Sequence, residues 1–317
     1  MNSGSSLLVA LFGPTSSGKT ALSVELGRQL RRQIEPVVVS ADSRQVYRHL
    51  DIGTSKTTPE EMRGIRHEML SVADPDRKYE LESYVAAARG HIEQAWQRGQ
   101  LPMIVGGTAV YVKALLEGWN VQDSARTRNS VRRDFPPDMA EDAYETLKRL
   151  DRKAAGRVHP NNYEAVINAL SRIMSTPDGG SKQTARTVVL GLDRPASELD
   201  ARVASTFDRQ LRDGLFDEVL GLGERYDLDA EMRRRGKRSG NQVLHTHGYR
   251  EFWEVALERG KPVRSLTPGD IAEVRAGVVE HIQGYTRRQR AAFRKLPELR
   301  MVRTVERAVQ YVTAEFK

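Results

Sequence analysis

Leu7-Leu8-Val9-Ala10-Leu11-Phe12 runs directly into Gly13-Pro14-Thr15-Ser16-Ser17-Gly18-Lys19-Thr20, and a helical pattern follows over residues 21–33. An apolar run, a glycine-bounded loop and a helix, in that order, make the setting that a phosphate-binding loop requires. The eight loop residues fit G-x-x-x-x-G-K-[ST] at each fixed position. Chemistry accounts for the spacing. Gly13 and Gly18 let the backbone fold back so that N–H groups along Thr15, Ser16 and Ser17 aim at one point, and the helix near Lys19 adds its positive end. Lys19 suits terminal phosphate oxygens, and the Thr20 hydroxyl suits Mg²⁺. The loop alone leaves the anion open, with ATP as the default guest.

With 317 residues the chain can hold one large or two smaller domains. It has no cysteine, which excludes disulfides, thiolate zinc sites and cysteine nucleophiles and makes the cytoplasm the default location. The N-terminus lacks the basic region of a signal peptide, and no apolar run is long enough to span a membrane, so no membrane partner is expected. A formal charge of +8 points to a polyanionic partner, nucleic acid first among them. Arg233-Arg234-Arg235-Gly236-Lys237-Arg238 and the stretch 287–295 concentrate basic residues in the C-terminal third. Solvated loops and helix faces remain the plainer reading of each cluster.

Further along, Pro36-Val37-Val38-Val39-Ser40 reads as a second buried strand ending at Asp42. Ligands of open α/β sheets sit beyond the carboxyl ends of the strands, so Asp42 should face the same crevice as the loop. It could accept a proton, bind a second substrate or simply cap the next helix. Residues 48–59 read as a loop over that crevice. Tyr84, Ala88, Ile92 and Trp96 mark the core face of a helix over 82–98. Leu101-Pro102-Met103-Ile104-Val105 is a third buried strand, running into Gly106-Gly107-Thr108, whose glycines permit close backbone approach and whose threonine offers a hydroxyl. Residues 120–178 are charged and helical in pattern, 176–184 form a loop, and Thr187-Val188-Val189-Leu190-Gly191-Leu192 returns to the sheet. Helices over 196–225 and 270–295 follow. His245-x-His247 has no carboxylate or cysteine at a standard metal-ligand spacing and reads as structural or RNA-facing.

These motifs resemble the tRNA dimethylallyltransferase family. The resemblance rests on the loop 13–20, Asp42-Ser43-Arg44-Gln45-Val46-Tyr47, Asp51-Ile52-Gly53-Thr54-Ser55-Lys56, Val105-Gly106-Gly107-Thr108, Arg157-Val158-His159-Pro160-Asn161 and Gly248-Tyr249-Arg250-Glu251. It implies an α/β fold with a mostly parallel sheet of the P-loop NTPase type, flanked by helices and carrying a helical insertion for RNA. The implied division is a core over 1–119, an insertion over 120–184 and the rest of the core over 185–317. The implied reaction moves a dimethylallyl group from dimethylallyl diphosphate to N6 of an adenosine beside the anticodon of tRNA, with Mg²⁺ as cofactor and a monomeric protein.

In the implied site Asp42 takes the proton, Thr108 lines the channel and Lys19 binds the leaving group. Gly13, Thr15, Ser16, Ser17, Gly18, Lys19 and Thr20 hold the diphosphate, with Thr20 on the metal. Asp42, Ser43, Arg44, Gln45, Thr108, Arg132, Gly248, Tyr249 and Arg250 meet tRNA. The family usually adds a diphosphate-binding arginine where this chain has Thr206; Arg202, one turn earlier, is the expected substitute, with Arg209, nearly one turn later, as the alternative. After His-Pro-Asn, where relatives carry Asp and basic residues, stand Asn162, Glu164, Ala165 and Asn168. Alternatives are a relative that prenylates free adenine nucleotide, a nucleotide kinase and an RNA-binding paralogue without catalysis.

Overall fold

The computed structural model describes residues 6–116, 121–174, 185–294, 296 and 298–316. The stretch 176–184, read above as a loop, lies outside them. Six strands occur among the described residues: β1 (Leu7–Phe12), β2 (Pro36–Ser40), β3 (Arg66–Glu68), β4 (Leu101–Gly106), β5 (Arg186–Leu192) and β6 (Arg300–Val302). They form one sheet in the order β3-β2-β4-β1-β5-β6, and every neighbouring pair is parallel. Each residue of β1, β2 and β4 is buried, as expected where helices cover both faces of a parallel sheet. That burial is why these three strands read as continuous apolar runs. The edge strands β3 and β6 were not anticipated, because three residues such as Arg66-His67-Glu68 carry neither an apolar run nor an alternation.

The helix Lys19–Leu30 puts Val24, Leu26 and Leu30 against the sheet, and the helix Val305–Thr313 adds Ala308 and Val312 to the same cluster. Tyr84, Ala88 and Ile92 of the helix Leu81–Gln97 are fully buried, while Trp96 donates its indole N–H to the Leu7 carbonyl at 2.8 Å. The helical stretch expected over 196–225 is two helices, Ala196–Arg212 and Leu215–Tyr226. They part at Gly214, whose φ of 99° lies where side-chain-bearing residues are strained.

By contact the chain divides into two compact units, Met1–Leu115 with Ala185–Lys317, and Leu116–Thr184. The second has its own core: Val131, Ala143, Leu147, Val166, Ile167 and Leu170 meet among the helices Val121–Asp134, Ala140–Leu150 and Tyr163–Met174.

Within the first unit the registers pair Phe12 with Gly106 and Ser40 with Val105, so the loops after β1, β2 and β4 leave the sheet side by side. A Cβ on Gly106 would lie 2.1 Å from the Ala41 carbonyl oxygen, and backbone cannot swing aside as a side chain would. We expect Gly106→Ala to destabilise the protein by about 3 kcal/mol. Urea unfolding of variant and parent measures it, and a loss well under 1 kcal/mol would contradict so close an approach.

Candidate active site

Gly18 adopts φ 91° and Ser16 φ 62° in the loop between β1 and its helix. The turn is closed by the Ser17 N–H, which donates to the Pro14 carbonyl at 3.2 Å. Thr15, Ser16, Gly18, Lys19 and Thr20 line a cleft of about 860 Å³. Two expected contributors are set back from it. Ser17 is fully buried, and its Oγ would lie 2.5 Å from a Cβ on Gly13, so these two residues shape the loop.

Two arginines embrace the loop from outside. Arg202 donates Nε–H to the Ser16 carbonyl at 2.8 Å, and Arg194 donates Nε–H to the Ser17 carbonyl at 2.7 Å. A guanidinium nitrogen of each reaches within 3.6 and 3.7 Å respectively of where a Gly18 Cβ would stand. Arg202 therefore lies at the loop, while Thr206 and Arg209 line the same cleft. Arg194 was missed from sequence. It follows β5 directly, in the position where loops of this sheet meet the crevice, and that placement was the available signal.

Lys19 is partly accessible as a residue, yet protein atoms surround its ammonium so closely that desolvation lowers its pKa, with Asp42 pulling the other way. Asp42 lines the cleft and accepts the backbone N–H groups of Arg44 (2.9 Å) and Gln45 (3.4 Å) on Oδ1. It is thus both a turn-capping residue and a carboxylate facing the crevice. Thr108 accepts the Ser43 N–H at 3.0 Å and donates to Ser43 Oγ at 3.3 Å, tying the third loop to the second. Gln289, 5 % exposed on the helix Pro268–Phe293, spans the first and third loops. Its Oε1 accepts the Thr15 N–H (2.9 Å) and hydroxyl (3.1 Å), and its Nε2 donates to the Gly107 carbonyl at 2.7 Å. Tyr285, one turn earlier, also lines the cleft. Burial and the nearby Asp42 raise its pKa, against the opposing effects of Arg44 and hydrogen bonds with Thr108 and Gln289, so the phenol stays protonated.

The segment 51–56 is a firmly held wall of the cleft. Glu218 accepts the backbone N–H groups of Asp51, Ile52 and Gly53. Gln210 donates to the Ile52 and Gly53 carbonyls and to Ser55 Oγ, and Gln45 donates to the Thr54 and Ser55 carbonyls. Ser43, Arg44 and Gln45 line the cleft as expected, with Arg44 also reaching Gln242.

The expectation for Tyr249 needs correction. Its side chain is 0 % exposed, its ring fills the space that a Gly53 Cβ would occupy, and its hydroxyl donates to Glu218. Burial, with Glu218 beside it, raises its pKa far above the ordinary value and keeps that donor in place. Tyr249 builds the wall and is not presented to a partner. Gly248 donates to Glu251, and Arg250 pairs with Glu251 and Glu254. In the second unit Arg132 forms an exposed ion pair with Glu164 at 2.5 Å.

Together these features define an α/β protein whose parallel sheet carries a glycine-bounded loop, a carboxylate and a hydroxyl at three adjacent strand ends. Residues 45–296 match the model of the IPP transferase family, and residues 6–77 match that of isopentenyl transferases. The chain belongs to the IPP transferase family. It is 36 % identical to the tRNA dimethylallyltransferase of Roseiflexus castenholzii over 92 % of this chain and 91 % of that one. Against the protein of the same name from Herpetosiphon aurantiacus it is 33 % identical over 92 % and 88 %. The crystal structure of the tRNA isopentenylpyrophosphate transferase from Bacillus halodurans superposes with a TM-score of 0.65 at 29 % identity, covering 98 % of this chain and 96 % of that one.

Tyr249→Phe removes a buried hydrogen bond to a carboxylate and should cost about 2 kcal/mol in stability. Calorimetric or urea unfolding reads the loss, with tRNA affinity, measured in parallel, expected to stay unchanged.

Proposed function

We propose that this protein transfers the dimethylallyl group of dimethylallyl diphosphate to N6 of an adenosine beside the anticodon of tRNA, releasing diphosphate. The observation that carries this reading is the convergence of Lys19 and Asp42 on one cleft from the ends of β1 and β2, with Thr108, after β4, hydrogen-bonded to Ser43 of the cleft wall. The P-loop then holds a leaving group. The N6 lone pair attacks the first allylic carbon, the bond from that carbon to the diphosphate oxygen breaks, and the diphosphate departs with the electron pair. Asp42 takes the N6 proton through the oxygen that its turn leaves available. Lys19, Arg202 and the loop amides meet the growing charge on the diphosphate, while Arg194 holds the loop through the Ser17 carbonyl. Val203, Phe207 and Ile282 give the same cleft an apolar side suited to a five-carbon chain.

Thr20 opens to the cleft beside Lys19, and one hydroxyl plus ligand oxygens is the sparse protein contribution that Mg²⁺ accepts. When bound there, Mg²⁺ would neutralise diphosphate charge. For the acceptor, a flipped adenine would meet the turn from Asp42 to Gln45, with Thr108 at its side. Arg132 would serve the RNA grip, since an exposed ion pair is weak enough for a phosphate to replace Glu164. Arg287 and Arg288, exposed on the helix Pro268–Phe293, and the exposed Arg233, Arg234 and Arg235 would contact backbone phosphates. A cytoplasmic monomer fits this role, and no helix among the described residues is long and apolar enough to cross a membrane.

Labelled dimethylallyl diphosphate incubated with unmodified tRNA or with AMP tests the reading. Label is expected in tRNA; label in AMP alone would replace the acceptor. Asp42→Asn should lower transfer by at least ~100-fold with tRNA affinity retained. Arg202→Ala should raise the KM for the prenyl donor about tenfold, the weight of one charge-assisted hydrogen bond. An unchanged KM would remove Arg202 from the diphosphate site.

A further inference from the structure

His247 lines the cleft, and three side chains meet at its ring. Nδ1 of His247 lies 3.0 Å, and Nδ1 of His281 2.9 Å, from the same oxygen, Oε1 of Glu251. The three atoms all lie within 4.8 Å of one another. Glu251 is 2 % exposed, and its second oxygen accepts the Gly248 N–H at 2.9 Å, which fixes the carboxylate. Glu251 lies in the first turn of the helix Arg250–Glu258 and His247 in the loop just before it; His281 comes from the helix Pro268–Phe293. The two imidazole side chains keep 28 % and 38 % exposure, enough for an ion to reach them. His245 takes no part, since its Nε2 is 2.6 Å from the Ser239 carbonyl oxygen. By sequence spacing alone His245-x-His247 lacks a carboxylate partner. Glu251, four residues from His247, supplies one, and the third donor comes from a helix that no spacing rule connects to it.

We propose that His247, Glu251 and His281 form a binding site for one zinc-type divalent ion. Two imidazoles and one carboxylate make the donor set of zinc sites that keep a fourth position open. Tetrahedral bonds of that kind hold donor atoms roughly 3.3 Å apart, so the 2.9 and 3.0 Å separations need open only slightly. Nitrogen-rich donors select against Mg²⁺ and Ca²⁺, which favour all-oxygen shells. The nearest competing cation is Arg250, whose Nε lies 3.4 Å from Oε1 and whose Nη2 lies 3.4 Å from Nδ1 of His281, so a bound ion displaces the guanidinium from both. Its Nε is buried without a hydrogen bond, and Glu254, at 3.8 Å, offers the guanidinium another carboxylate. A bound ion cross-links the helix Arg250–Glu258 and the loop before it to the helix Pro268–Phe293. The site stands whether or not the proposed transfer reaction does.

The test uses the full chain stripped with a chelator. It is titrated with Zn²⁺ by calorimetry and with Co²⁺ by visible absorption. One ion per chain, tetrahedral Co²⁺ bands and a raised unfolding temperature are expected. His281→Ala and His247→Ala should each weaken binding by at least ~100-fold, while His159→Ala, an exposed histidine of the other unit, leaves it unchanged. Circular dichroism and unfolding in chelator establish that each variant folds, with His281→Asn replacing any that does not. Absence of stoichiometric binding, or equal binding in the His247 and His281 variants, would overturn the site.

Discussion

The side-chain amide of Gln289 is the constraint on which the cleft depends. Its oxygen holds Thr15 of the first loop and its nitrogen holds the Gly107 carbonyl of the third, so one planar group sets the distance between two strand ends. A carboxylate in its place would lack the donor, and a lysine would lack the acceptor. Gly107 has no room for a Cβ because Nε2 would lie 2.6 Å from it, and Lys19 Nζ lies 3.6 Å from the same point. The next residue, Arg290, pairs with Asp193 at the end of β5 at 2.9 Å. Two consecutive residues of one C-terminal helix thus fasten loops whose strands lie far apart in the chain, and the ammonium, carboxylate and hydroxyl keep their mutual positions.

Much of this frame was legible from the amino acids. Strands β1 and β2 begin and end where their apolar runs do, because a central parallel strand is buried on both faces and tolerates little else. The glycine-bounded loop and the Gly-Gly-Thr turn announced themselves through residue types that only a crowded strand end requires. Edge strands lack that signal. The break at Gly214 was obscured because apolar residues continue on both sides of it. Long-range partners were invisible for a different reason: Gln289 to Thr15, Glu218 to the 51–53 backbone and His281 to Glu251 are contacts that no local periodicity encodes.

The acceptor-side residues divide by burial. Tyr249 sits in a motif that looks like a recognition loop, yet its ring is packed beneath Gly53, so the motif is there for the wall. Arg132 and Glu164 show the opposite case. They pair on the surface, a contact worth between nothing and about 1 kcal/mol, so Arg132 stays available to other anions.

Arg194 and Arg202 act on the loop through its carbonyls, and this has an effect on direction. In a trans peptide the C=O and the N–H of the next residue point opposite ways. By holding the Ser17 carbonyl, Arg194 turns the Gly18 N–H away from itself. The guanidinium therefore contributes a full charge on one side of the peptide plane and an oriented dipole on the other. An anion arriving at the loop meets a donor whose reorientation was completed during folding.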